Sequence, residues 1–197
     1  MTKTELMKAI RDEILVLKES PLYEYRTTNH FFPVIGEGSH DAKIMFVGEA
    51  PGKNEAKTGR PFCGAAGKVL DQLLEHVGIE RKSVYITNIV KDRPPENRDP
   101  TQEEIRIYGP FLDRQIEIMK PRVITALGRY AMGYIMKKLD LELELEPIGK
   151  AHGKAYKTKA DYGDIDIVVL YHPCMAVYNP NNIDSLKKDF EVLMRYK

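Results

Sequence analysis

The chain has 197 residues, of which 43% are hydrophobic and 30% charged, a composition that excludes a disordered chain and is enough to bury one core. Thirty Lys and Arg face 29 Asp and Glu, which excludes a uniformly basic, histone-like binder but not a local nucleic-acid patch. Two cysteines supply neither a disulfide framework nor the four thiolates of a common iron–sulfur cluster.

Residues 4–18 repeat Leu6, Ile10, Ile14 and Leu17 at steps of three or four, the spacing of an amphipathic helix. The start carries neither the apolar block nor the small-residue cleavage site of a signal peptide, and no apolar run approaches the ~18–20 residues of a bilayer span. A cytoplasmic protein forming one domain over residues 1–197 is expected. Residues 20–41 are rich in Pro, Gly, Asn and Thr and read as irregular. AKIMFVG (42–48) has the look of a buried parallel strand, and GKVLDQLLEHVG (67–78) that of a helix with a glycine stop. SVYITNIV (83–90) is β-branched and strand-like. The helix over 100–119 opens with proline and two glutamates, and Gly109–Pro110 is expected to kink or split it. RVITALG (122–128) is a third strand, 129–139 a third helix, DIDIVVLYHP (164–173) a fourth strand and 184–196 a closing helix.

Strands alternating with helices predict an α/β fold with a parallel sheet covered on both faces. Ligands of such sheets bind at the carboxyl ends of the strands. Here those ends carry GEAPGKNE (48–55), NIVKDRPPENR (88–98), GRYA (128–131) and HPCMAVYNPNN (172–182). The first is not a nucleotide P-loop, because no GKS or GKT follows at the required gap. It is either a flexible connection or a fixed turn that presents Glu49. Phe62 is either a core plug or a platform for a flat ring. Asn88 is either a loop-bracing amide or a reader of a base edge, since an amide both donates and accepts. Lys91, Arg93 and Arg98 with two prolines form a stiff basic loop suited to phosphates. His172 closes an apolar strand and precedes proline, a position suited to catalysis.

GEAPG at 48–52, Glu55, TGRPFCG at 58–64, ITN at 86–88, KDRPPENRDP at 91–100 and HP at 172–173 together resemble the family 4 uracil-DNA glycosylases. The resemblance spans about residues 20–195. It implies a three-layer α/β/α sandwich with a four-stranded parallel central sheet. It also implies hydrolysis of the bond between uracil and deoxyribose in single- or double-stranded DNA after the base is extruded; a monomer is expected. By the same resemblance Phe62 stacks on the uracil and Asn88 pairs with its edge. Glu55 fills the space beside C5 and so rejects thymine by exclusion. His172 donates to O2 as charge develops there. Ala50 lines the pocket where another glycosylase family has an aspartate, which leaves Glu49 to position the water or the sugar. Met175 or Val177 is expected to wedge into the minor groove. Tyr178 stands where arginine is usual, which favours single strands.

Family 4 carries a cluster on four cysteines. The matching positions are Leu17, Ser20, Asp92 and Tyr108, so no cluster is expected. Leu17 and Tyr108 are expected in apolar contact, with Ser20 and Asp92 at the edge. Cys63 and Cys174 flank the pocket motifs as small buried side chains or as oxidation-sensitive thiols. A metal held by them with His172 is set aside, because it would consume the donor. The rival reading is a non-catalytic relative that binds DNA or damage beside replication or repair proteins.

Overall fold

The computed structural model describes residues 1–197. Six strands form one sheet: β1 (Glu37–Gly38), β2 (Ile44–Gly48), β3 (Tyr85–Asn88), β4 (Val123–Leu127), β5 (Lys154–Ala160) and β6 (Gly163–Leu170), in the spatial order β1-β3-β2-β4-β6-β5. The central β3, β2, β4 and β6 are mutually parallel, as expected. The sheet is wider than expected because β1 and β5 add antiparallel edges.

The parallel strands read as continuous apolar runs because both of their faces are covered. On β2 the alternation is direct: Met45 and Val47 enter a core with Ile10 and Ile14, Leu112 and Ile116, and Met132 and Ile135. These come from the helices α1 (Lys3–Leu15), α5 (Gln102–Met119) and α6 (Arg129–Lys138). Ile44 and Phe46 face the other way, into a core with Leu70, Leu73 and Leu74 of α4 (Ala65–His76) and Leu186 and Phe190 of α9 (Ile183–Phe190). The result is three layers, helices on sheet on helices. Burial of these side chains, at about 1.5–3 kcal/mol each, is the main stabilising term.

Several expectations change. Gly109–Pro110 does not split α5, which runs unbroken past it. Gly109 lets the Tyr134 side chain of α6 lie close against α5, where a Cβ would come 2.4 Å from its hydroxyl. The stretch 20–41 holds a short helix, α2 (Tyr23–Thr28), as well as β1. Short helices α3 (Lys53–Thr58), α7 (Ile148–Ala151) and α8 (Cys174–Tyr178) complete the set, and α9 ends earlier than expected, in a 3-10 turn over Glu191–Tyr196.

The four positions matched to cluster cysteines do not fit such a group, because none is a thiolate. Leu17 packs against the apolar core. Ser20 and Asp92 are buried, at 4% and 1% exposure, not at an edge. The reason is the Tyr108 hydroxyl, which is polar and sits between them, 2.8 Å from Ser20 Oγ and donating to Asp92 Oδ2 at 2.6 Å. Arg26 of α2 donates to the same carboxylate oxygen at 2.9 Å and to the carbonyls of Ile14 and Leu15 at the end of α1. A hydrogen-bonded buried ion pair thus joins α1, α2, residue 92 and α5.

Candidate active site

The sheet register sets the site. Gly48 lies opposite Asn88, and the ladder continues past both strand ends through Ile89 N–H to Gly48 C=O and Val90 N–H to Glu49 C=O, each 3.0 Å. On the other side Leu127 pairs with Leu170. Glu49, Asn88, Gly128 and His172 therefore leave the sheet along one carboxyl edge, where open α/β folds bind ligands. A cavity of about 80 Å³ opens there, lined by Ala50, Gly52, Glu55, Phe62, Ala66, Asn88 and His172. That is room for one small ring, far below the ~300–1,000 Å³ of drug-sized pockets. Five residues picked from the sequence thus meet in one cavity.

Each is held by its surroundings. Phe62 adopts φ 47°, the left-handed region, at a cost on the order of 1–3 kcal/mol for a non-glycine residue. Its carbonyl presses on Gly67 of α4, where a Cβ would lie 1.8 Å away. Gly48 is equally constrained: a Cβ there would meet Asn88 Oδ1 at 2.3 Å and the Phe62 ring at 2.9 Å. Asn88 is 2% exposed. Glu55, on α3, accepts from the backbone N–H of Cys63 at 3.0 Å and of Gly64 at 2.8 Å. Gly64 is the residue that caps α4, so one carboxylate oxygen satisfies the N–H of the N-cap and of the residue before it.

His172 stands 5.4 Å from Phe62, ring centre to ring centre. Burial lowers its pKa from 6.5 to about 4, against the opposing pull of Glu55, so the ring is neutral near pH 7. Its Nδ1 accepts from the Cys174 N–H. A neutral imidazole whose Nδ1 accepts carries its proton on Nε2.

Glu49 stands beside the cavity, half-buried. Burial and the charge of Asp99 raise its pKa to about 7, against the lowering effect of Arg129. Asp99 is itself held, accepting from Arg129 Nη2 at 2.5 Å and Tyr130 OH at 2.9 Å. Asp99, Arg129 and Tyr130 were not singled out as site residues in the sequence. Their signals in the sequence are position, in the GRYA strand end after β4 and in the loop beyond β3, and for Asp99 its place in the KDRPPENRDP motif. Burial also pushes the neighbouring Cys174 thiol up, and the Glu49 charge adds to that.

The basic loop needs correction. Lys91 is fully buried and cannot reach a phosphate, because its Nζ is bound inside the protein by Thr87 Oγ1, the Asn88 carbonyl and Gln115 Oε1. Arg93 is half-buried, bonded to Asn97 and Tyr25. Arg98 is exposed but forks onto Glu104 at 2.6 and 2.9 Å. On α8 Met175 is half-buried, while Val177 and Tyr178 are 41% and 86% exposed at the rim.

A family model described as the uracil DNA glycosylase superfamily matches residues 35–195. The chain belongs to that superfamily. The matched span holds every residue of the glycosylase cavity, whereas Leu17 and Ser20 precede it. Curated relatives agree. A type-4 uracil-DNA glycosylase of Sulfurisphaera tokodaii is 46% identical over 94% of this chain and 82% of its own. One of Saccharolobus solfataricus is 43% identical over 92% and 82%, and one of Archaeoglobus fulgidus 40% over 95% and 91%.

Proposed function

We propose that this chain is a monofunctional, metal-independent uracil-DNA glycosylase of base excision repair, and that it works as a single-domain cytoplasmic monomer. The observation that carries the reading is the convergence of a ring, an amide, a carboxylate and a neutral imidazole with a free Nε2–H on one cavity of about 80 Å³. The target nucleotide leaves the base stack, because its glycosidic bond is unreachable inside it. Uracil slides along Phe62. The Asn88 amide donates to one edge atom and accepts from another, and cytosine reverses that pattern. Glu55 occupies the space a thymine methyl would need.

The C1′–N1 bond then breaks and its electron pair stays on the base. His172 Nε2–H donates to O2, where negative charge gathers; a donor already in place lowers that barrier. Water adds to C1′ of the cation-like sugar and gives a proton to Glu49. Glu49 returns that proton through solvent to the uracil anion, so the products are neutral uracil and an abasic site. Ala50 leaves room at the pocket wall for the water that Glu49 orients.

On the DNA, Val177 and Met175 fill the gap left by the base. Arg93 and Arg98 lie near the backbone path, and Tyr178 stacks in place of a cation, which favours single strands. The chain uses no iron–sulfur cluster, since oxygen and aliphatic side chains stand at all four positions.

The test is a cleavage assay in EDTA on single-stranded oligonucleotides carrying one uracil, thymine or hypoxanthine, followed by alkali. Cleavage at uracil, lost in His172→Ala and Asn88→Ala, is expected. Binding to uracil-containing DNA without cleavage would overturn catalysis in favour of a reader.

A further inference from the structure

Lys91 is buried within the protein and has no role in the steps above. Its Nζ makes three short bonds, to Asn88 C=O at 2.6 Å, Gln115 Oε1 at 2.6 Å and Thr87 Oγ1 at 2.8 Å. Thr87 Oγ1 faces two acceptors, the Ile35 carbonyl at 2.7 Å and Gln115 Oε1 at 3.4 Å, and the carbonyl is the nearer. Thr87 spends its own proton there. Gln115 turns its Nε2 to Ile35 C=O at 3.0 Å and Tyr85 OH at 3.3 Å, which leaves Oε1 to accept. All three partners of Lys91 therefore accept. Three acceptors match the three protons of an ammonium, whereas a neutral amine would turn its lone pair onto one of them. Burial pushes the pKa of this group well down, and the three acceptors oppose that push.

No carboxylate balances the charge. The adjacent acid, Asp92, is committed to Arg26 and Tyr108. An uncompensated ammonium inside a protein is costly. Its place ties it to the site: the carbonyl it holds belongs to Asn88, whose residue lines the cavity.

We propose that Lys91 is a positioning residue for base release, anchoring the strand end that presents Asn88 and setting an unpaired positive charge behind the pocket, where it favours the electron pair left on uracil. This rests on the assignment of Asn88 as the base-reading amide. Tenfold in rate corresponds to about 1.4 kcal/mol, the interaction of two unit charges about 12 Å apart at an effective dielectric near 20.

The experiment compares single-turnover rates on uracil and 5-fluorouracil in the same oligonucleotide. The fluorinated base leaves as a more stable anion and needs less help. Lys91→Met removes the charge at similar volume. Gln115→Glu keeps an oxygen on the ammonium and neutralises it, and serves alone if Lys91→Met does not fold. Both are expected to slow uracil release about tenfold, with DNA affinity little changed and 5-fluorouracil release slowed less. Equal slowing of both bases by Lys91→Met, or a Gln115→Glu rate equal to wild type, would overturn the inference. Asn88→Ala runs in parallel. If it retains full activity the reading of Asn88 fails; if it loses activity while the charge variants keep theirs, only the role of Lys91 fails.

Discussion

The backbone N–H of Cys174 donates to Nδ1 of His172 at 3.1 Å. That bond ties the tautomer of the histidine to the main chain of α8, so the proton offered to the cavity sits on Nε2. His172→Ala is expected to lower the single-turnover rate on uracil about 100- to 1,000-fold, the usual cost of losing one pre-placed donor to a developing oxyanion.

The same ring makes a stability prediction. Its pKa is about 4 in the folded protein against 6.5 ordinarily. Between those values the unfolded chain binds the proton and the folded one does not, so stability rises with pH across that window. Urea midpoints measured through it should climb more steeply for the wild type than for His172→Ala.

Glu49 predicts the acid limb of the activity profile. With its pKa raised to about 7, the carboxylate is neutral below that pH and cannot take a proton from water. Activity should rise through about 7 and Glu49→Gln should abolish that limb. Arg129 lowers this pKa and Asp99 raises it. Arg129→Ala should therefore move the limb to higher pH, and Asp99→Asn to lower pH. Near-full activity in Glu49→Gln would remove Glu49 as the base.

The Arg26–Asp92 pair, 6% and 1% exposed at the side chains, should be costly to break. Asp92→Ala leaves a buried guanidinium uncompensated, at about 3–5 kcal/mol. Tyr108→Phe leaves Ser20 and Asp92 each short of a partner, at about 1–3 kcal/mol. Urea denaturation measures both. In the same preparations, purified without oxygen, the protein should be colourless and free of iron. A broad visible absorption with bound iron would overturn the cluster-free reading.

The exposed tip of α8 predicts strand preference. Val177→Ala should slow cleavage in duplex DNA and leave single strands nearly unaffected, since only the duplex has a gap to fill. Tyr178→Arg should strengthen binding and steepen its salt dependence by about one phosphate contact. Affinity titrations at several salt concentrations check this.

How far the sequence was legible follows from where each signal is stored. The four parallel strands are apolar runs, because both of their faces are buried, and were readable. β5 (Lys154–Ala160) alternates lysines with small or aromatic residues at an exposed edge, and gives no such run. Lys91 reads in the sequence as part of a stiff basic loop suited to phosphates; its burial and its bonds to Thr87, Asn88 and Gln115, which only the fold brings around it, show that the side chain turns inward. Glu49, Phe62, Asn88 and His172 stand out from their loops and strand ends, and the resemblance adds Glu55 and gives all five their roles. Asp99 lies in the KDRPPENRDP motif and Arg129 and Tyr130 in the GRYA strand end, but their role does not show there, because the field at Glu49 is built from two loops distant in sequence.

Glu55 has a consequence for anyone who would redesign this pocket. Its carboxylate both bounds the cavity and holds the N–H groups at the start of α4, a helix whose Leu70, Leu73 and Leu74 anchor one face of the sheet. A smaller residue at position 55, chosen to admit a bulkier base, would also loosen that helix. Broadened substrate range and lowered melting temperature should therefore arrive in the same variant. A library that varies position 55 alone will under-sample permissive pockets, unless the parent first carries extra stability or a substitute cap at Gly64.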